Sequence, residues 1–191
     1  MSPRSEAPRL TLTDEEFAER AARIEWLLLD VDGVLTDGTL LYTANGEEIK
    51  PFHVRDGLAV KLAQRGGLKV GVLSGRDSPA LKRRALELGM DAVILGHDAK
   101  EAAFDAFLER EGTTDDRVAY AGDDLLDLPV LRRTALSFAP ADAVDEVRQA
   151  VYRVLKAAGG RAAVRELVET VRRARGQWEE RTAKWMPGGD D

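Results

Sequence analysis

The stretch "WLLLDVDGVLTDG", residues 26 to 38, runs four apolar residues into Asp30, places Asp32 two positions on and sets Gly33 behind it. Side chains of a strand alternate with period two, so both aspartates leave it pointing the same way until Gly33 lets the chain turn. Other polar residues follow other apolar runs: Ser74-Gly75-Arg76 after "LKVGVL", Lys100 after "DAVIL" and a loop, and Asp123, Asp124 and Asp127 after "RVAYAG". Carboxylates this crowded repel unless a cation sits between them. The chain has no Cys and only 2 His, which excludes thiolate sites and most zinc centres. An all-oxygen site of carboxylates, a backbone carbonyl and waters suits Mg²⁺, with Asp30, Asp32 and Asp123 expected to hold it. Asp124 and Asp127 either support the metal through water or cap the helix that "GDDLLDLP" begins.

Two acids on one strand end allow a division of labour. Asp30, ionised, is expected to attack phosphorus and form an aspartyl-phosphate. Asp32 would protonate the leaving alcohol and then take a proton from the attacking water. Ser74 would donate to the transferring phosphoryl group, Gly75 permits close backbone approach, and Lys100 would neutralise charge.

Such residues must be delivered by several strands ending along one edge. "IEWLLLDV" is a continuous apolar run of strand length, as expected for a strand covered on both faces of a parallel sheet. From residue 57 helical and strand patterns alternate through "GLAVKLAQRG", "LKVGVLSG", "SPALKRRALELG", "DAVIL", "AKEAAFDAFLEREG", "RVAYAGDD", "LLDLPVLRR", "ALSFAP", "DAVDEVRQA" and "VYRVL", closing with a helix from Arg161 to about Arg175. This is the pattern of a doubly wound α/β fold, whose ligands bind at the carboxyl ends of the strands. In the last helix Val164, Leu167, Val168 and Val171 form a core stripe.

Before that alternation, "TDEE" reads as a capping box opening a short helix over residues 13 to 23. Asn45-Gly46 between two β-prone runs predicts a hairpin with a type I′ turn. The expected division is an N-terminal extension (1–24), a phosphatase-type domain (25–176) with a hairpin insert over about 38–54, and a tail (177–191). Trp178 and Trp185 of the tail have no obvious place in the domain's core and suit a partner surface. His53 and His97 read as structural or exposed, and glycines 159 and 160 as a turn before the last helix, where Arg161 is placed to touch an anion.

At 191 residues, 44% hydrophobic and 32% charged, the chain has the length and balance of one folded α/β domain. No apolar run approaches the ~18 residues of a membrane span, and the N-terminus lacks a signal-peptide core, which predicts a cytoplasmic protein. A net charge of −6 argues against nucleic acid as a partner. An anionic substrate would therefore be recruited by local cations: the metal, Lys100 and arginines. Arg76 and Arg84 are candidates to clamp a substrate carboxylate, while Arg55 either contacts substrate or pins the hairpin through Asp56.

"DVDGVLTDG", "LSGR", Lys100 and "GDDLLD" resemble, in order and spacing, the four motifs of the haloacid dehalogenase superfamily of phosphatases. "FHVRDG", "LSGRDS", "AYAGDDLLDLPVL" and "AGGRAAVRE" narrow the resemblance to the 3-deoxy-D-manno-octulosonate 8-phosphate (KDO8P) phosphatase family, over about residues 20 to 175. Ser74 departs from the Thr many members carry but keeps the hydroxyl. The loop "LGHDAK" is variable, so Lys100 is assigned by its position after a strand. The resemblance implies a Rossmann-like fold, Mg²⁺, release of phosphate from an eight-carbon keto-sugar acid for lipopolysaccharide synthesis, and a homotetramer. In such tetramers hairpins meet and a C-terminal tail approaches a neighbouring site. With about 20 residues between Asp37 and Gly57 there is no room for a cap domain. Two other functions stay open: the same chemistry on a nine-carbon acid phosphate, and a phospho-accepting receiver domain, whose acceptor aspartate would need no acid two residues on.

Overall fold

The computed structural model describes residues 11–97 and 99–183. Its centre is a six-stranded parallel sheet of β1 (Trp26–Leu29), β4 (Lys69–Ser74), β5 (Ala92–Leu95), β6 (Val118–Ala121), β7 (Leu136–Ala139) and β8 (Arg153–Val154), in the order β5-β4-β1-β6-β7-β8. The connections carry α2 (Val54–Arg65), α3 (Pro79–Leu88), α4 (Lys100–Glu111), the short α5 (Leu128–Leu131) and α6 (Asp145–Ala150), with α7 (Ala163–Ala174) following β8. The residues of β1 alternate between the two faces. Leu27 and Leu29 join α1 (Asp14–Arg23), α2, α3 and α7 in one core. Trp26 and Leu28 join α4, α5 and α6 in the other. A sheet buried on both sides needs apolar residues at every position, which is why "WLLL" shows no alternation.

β1 sits in register with β4 on one side and β6 on the other, Leu29 opposite both Val72 and Ala121. The chain winds outward from β1 to β4 and β5, then crosses through α4 to β6 and winds the other way. That reversal leaves the crevice beyond the ends of β1 and β6 open to a ligand. Asp30, one step past Leu29, continues the parity of Trp26 and Leu28 and so faces the α4 side, where Lys100 lies.

The α1 helix follows its sequence signal: Thr13 caps it, and Glu16 completes the box by accepting from the Thr13 N–H at 2.8 Å. Phe17 and Ala21 place it in the core of the domain. The hairpin of β2 (Leu41–Tyr42) and β3 (Glu48–Ile49) is present, but its turn differs from the type I′ expectation. Gly46 N–H closes on Thr43 O at 2.9 Å, and Gly46, not Asn45, has positive φ (82°). This is the three-residue loop with a glycine bulge, chosen because Thr43 and Glu47 still pair across it.

Trp178 is a second correction. Trp178 opens the short α8 (Trp178–Thr182) and is 3% exposed, its ring under the guanidinium groups of Arg165 and Arg173 at 4.7 and 5.6 Å. It belongs to the domain's own packing because α7 turns two arginines toward it, which the apolar stripe alone does not reveal. Trp185 lies outside the described residues.

Candidate active site

Asp30 is 5% exposed, and its main-chain N–H is bonded to Ala121 O at 2.9 Å, tying the ends of β1 and β6. Its Oδ1 lies 2.7 Å from Lys100 Nζ, which also reaches Asp127 Oδ1 at 2.6 Å. Lys100 is the first residue of α4 and almost fully buried, sustained by these two carboxylates. Burial opposes its charge, but Asp30 and Asp127 together hold its pKa above the ordinary lysine value.

Gly33 has φ of 91°, and a Cβ there would lie 2.0 Å from Asp123 Oδ2. Glycine is thus required twice, for the turn and for the approach of Asp123 from β6. The opposite side of this loop rests on glycines 159 and 160. A Cβ at Gly159 would meet Gly33 O at 1.9 Å, and Gly160 N–H bonds to Val34 O at 3.0 Å. The "AGGR" turn therefore buttresses the loop that carries Asp30 and Asp32. Arg161 beside it pairs with Asp37 at 3.6 Å and is largely exposed.

Asp30, Asp123 and Asp127 each offer an oxygen within 4.8 Å of the others. Asp127, however, is saturated. Its Oδ1 accepts from Lys100 and the Tyr120 hydroxyl, and its Oδ2 from the N–H groups of Asp123 (3.0 Å) and Asp124 (3.2 Å). Four donors use the four lone-pair directions of a carboxylate, so Asp127 organises the cluster. Asp124 is exposed and caps the turn Leu125–Asp127 through its Oδ1 at 2.7 Å from Leu125 N, the capping alternative seen in the sequence. Asp123 Oδ1 is buried with no hydrogen-bond partner among the described residues, an oxygen that fits a cation.

The acids feel one another. Burial first, then the charge of Asp127, raises the Asp30 pKa to about 6, and burial with the charges of Asp30 and Asp127 raises Asp123 to about 8. Both values exceed the ordinary 3.8, so without metal the folded chain holds protons the unfolded chain has lost. The stabilisation this pair contributes is complete at low pH and disappears as pH rises through 6 and then 8. A divalent cation reverses the trend, because it binds the ionised pair and must displace protons at lower pH. The rise in melting temperature on adding Mg²⁺ is therefore expected to be larger at about pH 8 than at about pH 5.5. An equal rise at both would remove Asp30 and Asp123 from the metal site.

Asp32 stands apart from this cluster. Its Oδ1 is bonded to Lys50, the residue after β3, while Arg76 Nε lies 3.8 Å from its Oδ2. Arg76 also donates to Glu48 Oε1 at 2.9 Å and to the Tyr42 hydroxyl at 3.3 Å, joining the end of β4 to the hairpin. Ser74 is buried at the end of β4, and its Oγ accepts from Arg76 N–H at 3.2 Å, which leaves the hydroxyl proton free to donate. Gly75 joins these two residues. A cleft of about 690 Å³ opens beside Arg76 between hairpin and α3, with Tyr42, Glu48, Asp77 and Arg83 in its walls.

The other arginines are placed differently. Arg84 packs over Phe52 at 5.9 Å and against Gly57, and pairs with Glu87 at 3.5 Å. Arg55 is exposed in the first turn of α2, and among the described residues no hydrogen bond or ion pair joins Asp56 to the hairpin. Its Oδ1 accepts instead from Arg165 N at 2.8 Å, supplying α7 with the cap that Ala162 cannot give. His53 caps α2 through Nδ1 at 3.2 Å from Arg55 N, and His97 is exposed. Lys50 and Tyr120 were not singled out in the sequence: one lies in a polar hairpin, the other inside the apolar strand "VAYA".

No protein-family model matches the chain. Curated and solved relatives do. The KDO8P phosphatase KdsC of Haemophilus influenzae is 46% identical over 159 residues, 83% of this chain and 88% of that protein. The cobalt-bound structure of the Haemophilus influenzae phosphatase superposes with a TM-score of 0.80 at 46% identity, covering 84% of this chain and 94% of that one. The Moraxella catarrhalis KDO8P phosphatase, solved with magnesium, phosphate and KDO, superposes with a TM-score of 0.87 at 31% identity over 90% and 99% of the two chains. With a curated relative 46% identical over 83% of this chain and 88% of its own length, the chain belongs to the KDO8P phosphatase family of the haloacid dehalogenase superfamily.

Proposed function

We propose that the protein is a Mg²⁺-dependent phosphomonoesterase that converts 3-deoxy-D-manno-octulosonate 8-phosphate to KDO and phosphate. The observation that carries the reading is the pairing of a buried Asp30, held by Lys100 and faced by Asp123, with an Asp32 that lies outside that cluster. In this reading one carboxylate serves as nucleophile and the other in proton transfer. Relatives named for this substrate, one of them solved with KDO itself, support the choice of ester.

In this reading Asp30 attacks phosphorus, the bond from phosphorus to the sugar's terminal oxygen breaks, and Asp32 gives that oxygen a proton. Water then attacks the aspartyl-phosphate, Asp32 takes its proton, and phosphate leaves with Asp30 restored. Lys100 and the Ser74 hydroxyl hold the phosphoryl oxygens. Asp30 and Asp123 would hold Mg²⁺ by their carboxylates and Asp32 by its main chain, since Lys50 engages its side chain. The ion would offset the charge gathered on carboxylates and phosphate. Asp32 also separates this function from that of a receiver domain, in which the phosphorylated state must last. Arg76, on the cleft, is the nearest candidate for the sugar acid's carboxylate, with Arg84, Arg55 and Gly75 as lesser ones.

A cytoplasmic homotetramer completes the proposal. Among the described residues no helix is long and apolar enough to cross a membrane. The hairpin exposes Leu40, Leu41, Tyr42 (56% exposed) and Ile49, an apolar group suited to cover by other copies. Phosphate release is expected from the eight-carbon ester with kcat/KM at least about tenfold above that for a nine-carbon keto-acid 9-phosphate, and none in EDTA. Preference for the nine-carbon ester, or turnover that survives EDTA, would overturn it.

A further inference from the structure

We infer that Lys50 is a positioning residue for Asp32: it holds Oδ1 so that Oδ2 is the atom through which protons pass to the leaving alcohol and from the attacking water. The inference rests on the phosphatase reading, in which Asp32 is acid and base.

Lysine is among the residues least often buried, yet the Lys50 side chain is 3% exposed. A cation so enclosed needs anionic partners, and among the described residues it has two: Asp32 Oδ1, in direct contact, and Glu48 Oε1 at 3.6 Å. Asp32 Oδ2 is buried too, but no hydrogen bond reaches it from the described residues, and Arg76 Nε at 3.8 Å is beyond bonding distance. Leaving a buried carboxylate oxygen unpaired costs free energy, and such atoms call for an explanation. The terminal torsion of an aspartate is broad and two-fold, so one fixed ammonium on Oδ1 settles which oxygen faces the reaction. The two oxygens of Asp32 thereby differ in role.

Lys50 is itself held. Glu48 accepts from Arg76 at 2.9 Å through Oε1 and from the buried Ser78 hydroxyl through Oε2. Ser78 is the N-cap of α3, so the hairpin is clamped to the end of β4 and the start of α3. These bonds, with burial opposing them, keep the Glu48 carboxyl below its usual range.

The test uses the full chain with Mg²⁺. Lys50→Met is expected to lower kcat on the 8-phosphate about 100-fold with KM changed less than about threefold, and Lys50→Arg to recover at least about tenfold of the loss. Added to Asp32→Asn, Lys50→Met is expected to cost less than about threefold more, because the residue it acts through is already gone. Lys50→Gln, which keeps a donor, reports the same split should the methionine variant aggregate. An unchanged kcat, a loss confined to KM, or a full additional loss in the Asp32→Asn background overturns the inference. Wild-type protein that releases no phosphate from any ester overturns the phosphatase reading first, so the wild-type measurement tells the two failures apart.

Discussion

Replacing Asp30 by Asn is expected to abolish turnover, by roughly 10⁵-fold or more, and to leave the fold in place. The amide has the same shape but no nucleophilic oxygen anion. Lys100 retains Asp127 at 2.6 Å, so its ammonium is not stranded. The substitution also removes one acid from a group in which Asp123 is raised to about 8, partly by Asp30's charge. The metal-free variant is therefore expected to melt no lower than wild type, and its gain on adding Mg²⁺ to shrink. An activated aryl phosphate should give no burst of phenol and no hydroxylamine-sensitive phosphate on the protein. Wild-type activity in this variant would assign the nucleophile elsewhere.

Asp32→Asn is expected to lower kcat on the sugar phosphate by about 10³-fold, within the range general acid–base catalysis contributes. Its signature differs in kind. Asp30 remains, and an aryl leaving group needs little protonation, so the activated ester should still phosphorylate the protein and release about one phenol per site before stalling. Rapid-quench kinetics with mass spectrometry of the intact chain would read both. Multiple turnover of the aryl ester at the wild-type rate would deny Asp32 its part in the second half of the reaction.

The parts of the site that follow from local chemistry were legible in the sequence. An apolar run ending in Asp30-Val31-Asp32-Gly33 states where β1 stops and which face Asp30 takes, and strand ends in parallel register bring Ser74 and Asp123 alongside, whereas Asp32 leaves the cluster that its spacing implied and meets Lys50. What could not be read were contacts made across long separations by residues that look ordinary. Lys50 lies 18 positions from Asp32 in a charged hairpin, and Asp56 caps α7 at Arg165, 109 positions away. The division of labour within "GDDLLD" was ambiguous for a related reason. Asp123, Asp124 and Asp127 are chemically alike, and only the donors that surround Asp127 make it an organiser while Asp123 keeps an open oxygen. The turn at Asn45-Gly46 was misjudged because the dipeptide suits two loop lengths, and the pairing of Thr43 with Glu47 chose between them.

The glycine turn under Gly33 has a consequence for how the protein comes into being. All the residues assigned to the reaction are synthesised by position 127, yet the loop bearing Asp30 and Asp32 leans on glycines 159 and 160, and the helix behind that turn reaches back to Asp56 for its cap. A nascent chain thus owns its full set of reactive groups well before it owns their foundation. Competence for the reaction is expected only once residues 159 and 160 have been made and have folded back beneath the loop that follows β1.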